Sequence, residues 1–212
     1  MWNSQVIIML LEGIRDTLYM TLASTLFGYI IGLPMGIVLT VTDKDGIRPN
    51  AAVYKVLDVI SNLLRSIPFI ILLIVLIPFT RFVVGRSYGS TATIVPLTIA
   101  AAPYIARMVE SSLKEVDAGV IEAARSMGAS DFQIVTKVML VEARTSLIVG
   151  ATISLGTILG YSAMAGTVGG GGLGDIAIRY GYTRWQTDIM VVTVVLLVIL
   201  FQIFQTIGMK IA

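Results

Sequence analysis

Gly169, Gly171 and Gly174, in the stretch VGGGGLGD, are spaced as G-x-G-x-x-G. After a strand and before a helix, that spacing cradles the pyrophosphate of a dinucleotide. Here it closes an uncharged run that begins at Thr145, so a membrane helix precedes it. A flexible loop or a tight re-entrant turn between two spans is the expectation instead. Other reactive chemistry is scarce. The chain has no cysteine and no histidine. That excludes disulfides, thiolate catalysis, Cys-ligated metals, Ser-His-Asp relays and HExxH zinc sites. No GxxxxGK[ST] phosphate loop occurs. Little common catalytic chemistry survives this inventory, and the expectation is no catalytic residue, no metal site and no cofactor.

Two charged residues lie near apolar runs. Asp58 sits at the edge of one, and Arg65 about two turns inside it. Arg65 can snorkel to an interface on its long stem, or hold neighbouring carbonyls or a partner subunit. No carboxylate lies within any uncharged run, so a proton or sodium gradient has no evident handle. If transport is the task, its energy has to come from elsewhere.

The elements that position these residues are membrane helices. The 212 residues are 56% hydrophobic and 13% charged, with net charge +2 and mean hydropathy +0.90. A soluble domain carries about 25% charged residues, and the small net charge gives no field for nucleic acid. Uncharged runs predict an all-α membrane protein with five spans, near 17–42, 58–80, 87–106, 145–167 and 188–209, since about 20 residues cross a bilayer. Residues 1–16 read as an interfacial segment with Trp2 at the headgroup level. Nine basic residues fall on the side of 43–58, 107–144 and the C-terminus, against five on the other. That bias predicts the N-terminus outside and the C-terminus cytoplasmic. Five of the six prolines fall in apolar spans, where a helical bundle can re-satisfy the freed carbonyls. Ser24, Gly28, Gly32, Gly36 and Thr40 recur every four residues, and Gly156 and Gly160 repeat the device. Such faces pack helices closely, within the chain or between subunits.

Segment 107–144 is the exception to this apolar pattern, with 38 residues and 11 charges. Ala118–Met127 reads as a short helix of strong formers. Gly128 ends it as a left-handed cap. Ser130 and Gln133 form a capping box that starts a second helix, with Phe132, Val135, Val138 and Met139 on one apolar stripe. A loop that only joined two spans would not need a helix, a glycine turn and a second helix. The design suits a docking site for another protein.

Glu122, Ala123, Ala124, Gly128, Val138 and Leu140 resemble the EAA loop of ABC-importer membrane subunits of type I fold. Val138 stands where Ile is usual. Val141 stands where Pro is usual, which bears on how the chain turns back to the fourth span. The stretches RSIPFIILLIVLIPFTR, IVPLTIAAAPYIARMVE and GYSAMAGTVGGGGLGDIAIRYGY are similar to the methionine-importer permease subgroup, and the likeness runs from about residue 10 to the end. The resemblance implies a multi-pass permease of a bacterial cytoplasmic membrane that takes up D- and L-methionine. It implies two copies of this chain forming the pore, two ABC ATPase subunits that hydrolyse the ATP, and an extracytoplasmic substrate-binding lipoprotein. Glu122 becomes a polar contact to the ATPase, Ala123 and Ala124 a close-packing face, Gly128 a hinge or cap, and Leu140 part of the same loop. Tyr161, Ser162 and Met164 become candidates to line or gate the passage, with plain packing as the alternative. Three other readings stay open: an ABC permease for another amino acid or small polar solute, a nucleotide-independent channel or carrier, and an assembly or sensor component with a different docking partner.

Overall fold

The computed structural model describes residues 4–212, so Trp2 lies outside the described residues. Among these residues every regular element is helical. The first helix, α1, runs unbroken over Ser4–Thr42. At 1.5 Å per residue it is about 58 Å long, roughly twice the hydrocarbon thickness. No helix break separates the expected interfacial segment from the first span, because neither Pro nor an unpaired turn residue interrupts 14–17. The buried stripe of α1 is small and polar, with Thr17, Thr21, Ser24, Gly28, Gly32 and Gly36. Its outer face carries Leu22, Leu26, Phe27, Ile30 and Ile31, all exposed. In lipid the large apolar side chains have no reason to turn inward, and small residues bring backbones together.

That stripe seats α5, Ser90–Lys114, the central helix of the bundle. A Cβ added at Gly32 would lie 2.6 Å from the carbonyl oxygen of Ala102, and one at Gly36 would lie 2.5 Å from that of Ala106. The small-residue face therefore packs within the chain. Helices α9, Arg144–Ala165, and α11, Thr187–Ile211, complete the long elements. Gly156 takes the Phe201 ring of α11, whereas nothing lies within 4 Å of a Cβ at Gly160.

The second span departs from the single helix expected over 58–80. It is built of α2, Ala51–Ser66, α3, Phe69–Val75, and α4, Ile77–Val84. Helices α2 and α3 meet at 102°. Pro68 is the cause: it disfavours the helical region for the residue before it, and Ile67 is extended at φ −83°, ψ 124°. Pro68 and Pro78 thus start helices, while Pro34, Pro96 and Pro103 lie inside them. By length and composition four helices can cross a membrane, or five if the bent pair is one span.

Candidate coupling site and passage residues

The polar segment begins inside α5, which continues through residue 107 to Lys114. Helix α6, Ala118–Ser126, follows, capped by the Asp117 carboxylate, which accepts from the Gly119 N–H at 2.7 Å. Its other end is a Schellman turn. The Gly128 N–H donates to the Arg125 carbonyl at 2.9 Å, and the Ala129 N–H to the Ala124 carbonyl at 3.1 Å. Gly128 sits at φ +81°, the left-handed region that a Cβ disfavours. Ser130 then caps the next helix. Its N–H donates to Gln133 Oε1 at 2.9 Å, and its hydroxyl accepts from the Gln133 N–H at 3.4 Å. That helix comprises α7, Asp131–Gln133, a π-helical turn over Ile134–Met139, and α8, Leu140–Glu142.

The π turn alters the expected apolar stripe. Ile134, Val135 and Met139 are buried, and Val138 and Leu140 are half-buried against the same cluster. Phe132 does not join them and is 76% exposed. A π turn accommodates an extra residue per turn, so positions before and after it no longer share a face. The two alanines also part company. Ala124 is buried against Val109, Leu113 and Ile134 in the chain's own core, while Glu122 and Ala123 are exposed. Successive helical residues point about 100° apart, so only one alanine can face the core. Two exposed apolar side chains, Met127 at 82% and Phe132, flank the Gly128 turn. Sequence reasoning missed them as surface features, because hydrophobicity alone assigned Phe132 inward. Arg125 ties α6 to the turn after α1, donating from Nη2 to the Ile47 carbonyl at 2.8 Å.

Behind α6 lies a charge network that the sequence reading did not assemble. Glu110, 4% exposed, accepts from Arg107 Nη1 at 2.7 Å, from Lys114 Nζ at 2.8 Å and from the Tyr54 hydroxyl at 3.2 Å. Lys114 also pairs with Asp43 at 2.6 Å, and Arg107 Nη2 with Asp58. The hydrogen bond from Lys114 holds the Asp43 carboxyl below its ordinary pKa, against the opposing effect of burial. One signal was present: Arg107, Glu110 and Lys114 are three and four residues apart on one helix face. Their partners, Asp43 just after α1 and Tyr54 and Asp58 on α2, are distant in sequence. The network locks α2, α5 and the end of α1 together beside α6.

The passage candidates separate by helix face. Ser162 is buried, and its hydroxyl donates to the Leu159 carbonyl at 2.7 Å. Met164 is half exposed, on the same uncovered face of α9 as Ile153 and Gly160. Tyr161 stacks on Phe69, centroids 4.6 Å apart and planes 3° from parallel. Together they wall a cavity of about 250 Å³ that Arg65 and Tyr104 also line. The glycine-rich stretch is a tight turn into the short helix α10, Gly172–Ile176, packed into the bundle. Gly172 has φ +76°, and a Cβ there would lie 2.6 Å from Thr17 Oγ1. The next amide, Leu173, donates to that hydroxyl at 2.9 Å. These glycines let α9 fold back against α1, with no strand before them among the described residues.

A helical bundle that carries an EAA-spaced helix and a Schellman glycine invites comparison with transport proteins. A family model for the inner membrane component of binding-protein-dependent transport systems matches residues 18–211. The chain belongs to this family. The probable D-methionine transport system permease protein MetI of Vibrio cholerae is 49% identical over 200 residues, covering 94% of this chain and 89% of that protein. The D-methionine transport system permease protein MetI of Escherichia coli K12 is 54% identical over 158 residues, covering 74% and 73%. A chain from a structure of the MetNI methionine ABC transporter in inward-facing conformations matches with TM-score 0.97 at 50% identity, over 99% of this chain and 97% of that one. A crystal structure of an amino acid ABC transporter matches with TM-score 0.78 at 20% identity, over 96% of this chain and 92% of that one, which bears on the fold alone. The fold is that of a type I ABC permease.

Proposed function

We propose that this chain is the permease subunit of an ATP-driven methionine importer in a bacterial cytoplasmic membrane. The observation that carries the coupling part is the α6–Gly128 turn. It presents exposed Glu122, Ala123 and Met127 beside a core fastened to α5 through Ala124. A surface helix so rigidly rooted can transmit the movement of a partner seated on it. The partner is an ABC ATPase subunit, two per transporter, and ATP is hydrolysed there. Two copies of this chain form the pore, and an extracytoplasmic binding protein delivers the amino acid. Methionine, in its D and L forms, is favoured by the identity to D-methionine permeases across most of the chain.

The same reading places 107–144 and the C-terminus in the cytoplasm and the N-terminus outside, supported by nine basic residues against five. The interfacial lead-in ends at residue 16, and 17–209 is the permease domain. Glu122 contacts the ATPase, Gly128 caps the coupling helix, and Leu140 braces the helix behind it. Tyr161 and Met164 face the passage, whereas Ser162 braces α9.

Purification of this chain from its native membrane in mild detergent tests the proposal. An ATPase subunit should accompany it one to one, and be lost when residues 122–128 are scrambled. A chain that emerges alone, or with a partner of another kind, overturns the importer reading in favour of a self-sufficient channel or a sensor.

A further inference from the structure

Resting on that reading, we infer that Arg65 forms a subsite in the passage for the carboxylate of the transported amino acid. Arg65 lies in the last turn of α2, beside the 102° bend. It makes no hydrogen bond or ion pair among the described residues. Its nearest acidic neighbour along the helix, Asp58, is two turns away and committed to Arg107. Its side chain is exposed in the single chain, so the guanidinium is open to a ligand, and in apolar membrane surroundings a cation is costly unless it meets an anion or water. Among the described residues, the less exposed charges of α2 and α5 are matched: Arg107 with Asp58 and Glu110, and Lys114 with Asp43 and Glu110.

The cavity beside Arg65 holds about 250 Å³, and Arg65 is its one charged lining residue. Ile67, Phe69 and Leu72 give it apolar walls, and Tyr104 and Tyr161 bring phenol groups. This is the complement of a zwitterionic amino acid with an apolar side chain. The guanidinium fork takes the carboxylate through two parallel hydrogen bonds. The phenol oxygens accept from the ammonium. The side chain lies along Phe69, whose ring the stacked Tyr161 holds in place. Such broken helices, bent at a proline, are where carriers build their substrate sites. A single modest subsite of this kind grips the substrate in transit yet lets it leave.

The test uses the purified complex of this chain with its ATPase subunit in nanodiscs, without binding protein. The probe is photo-methionine, whose diazirine side chain labels whatever wall it rests on. Labelled peptides of this chain should contain residues 67–72 or Tyr161. Photo-methionine amide, which lacks the carboxylate, should label them about tenfold less, the scale of one charged hydrogen-bonded contact. Arg65→Gln should lower labelling by the acid to the level of the amide, and Arg65→Lys should retain part of it. Equal labelling of the unaltered complex by acid and amide overturns the subsite, as does undiminished labelling in Arg65→Gln that still carries its ATPase. If Arg65→Gln fails to assemble, the comparison of acid and amide on the unaltered complex decides alone. Methionine uptake by the same complex in proteoliposomes with binding protein keeps the two readings apart. Uptake without labelling at these residues sinks the subsite and leaves the importer standing. No uptake sinks the importer itself.

Discussion

Gly128 illustrates how much one residue can specify. Nothing lies within 4 Å of a Cβ built there, so space is not the constraint. The constraint is φ +81°, which costs a residue with a Cβ about 1–2 kcal/mol. Asn tolerates this region and β-branched residues do not. Gly128→Val should therefore insert normally and lose at least about tenfold in uptake, since 1.4 kcal/mol is a factor of ten. Gly128→Asn should keep most of the activity. Uptake by cells with matched amounts of each variant checks this. Equal uptake by Val and Asn variants would mean that the left-handed turn does not matter to coupling. Glu110 shows the opposite case, a carboxylate buried only because three partners surround it. A buried charge without partners would be untenable.

The α1–α5 pair is the frame on which the other elements hang. Its spacing is set where Gly32 and Gly36 meet the carbonyls of Ala102 and Ala106. Backbone oxygens cannot rotate away as a side chain can. Gly36→Ala should cost about 1–3 kcal/mol, the range for overfilling a packed site. Gly160→Ala, which meets nothing within 4 Å in this chain, should leave the single chain's stability unchanged. Thermal midpoints of the two variants in the same detergent make the comparison. A Gly36→Ala midpoint equal to the parent's would show that the helices can separate freely there. The bend between α2 and α3 has a more local origin in Ile67–Pro68. The π turn at Ile134–Met139 is likewise local, and it decides which apolar residues reach the core.

At the scale of the whole molecule, small and hydroxyl side chains line the closest helix contacts, large residues such as Met20, Leu97, Ile105 and Leu113 fill the space between them, and large apolar side chains also cover the outside. Most of α11 is uncovered, as lipid contact requires. The α9 face with Ile153, Gly160 and Met164, continued by Thr167 in the turn after it, is uncovered too, but it is interrupted by glycine and threonine rather than uniformly bulky. That composition suits a second copy better than acyl chains. The chain has no cysteine, so a single introduced thiol reports cleanly. Gly160→Cys should give covalent dimers with a short bis-maleimide linker in membranes, and Ile199→Cys on α11 should not. Dimers from α11 alone would exchange the roles of the two faces.

Several features were legible before any tertiary contact was known. The uncharged runs identified a membrane bundle because about 20 apolar residues are needed to span lipid. The helix, glycine turn and capping box of 118–133 were legible because caps are local hydrogen-bond patterns, closed within a few residues. The bend at Pro68 was also written in the residues, though proline tolerance inside spans masked it. Only the tertiary structure decided which way each side chain points. In lipid both faces of a helix can be apolar, so periodicity no longer separates core from surface. On the polar segment the ambiguity has another cause: Ala123 and Ala124 are chemically alike, and the π turn over Ile134–Met139 breaks the period that would place Phe132. The charge network needed the same knowledge, since Asp43 and Asp58 meet α5 only after three helices pack. So did the cavity at Arg65, whose walls come from α2, α3, α5 and α9. Contacts between residues far apart in sequence arise from the packing of whole helices, and no local pattern encodes them.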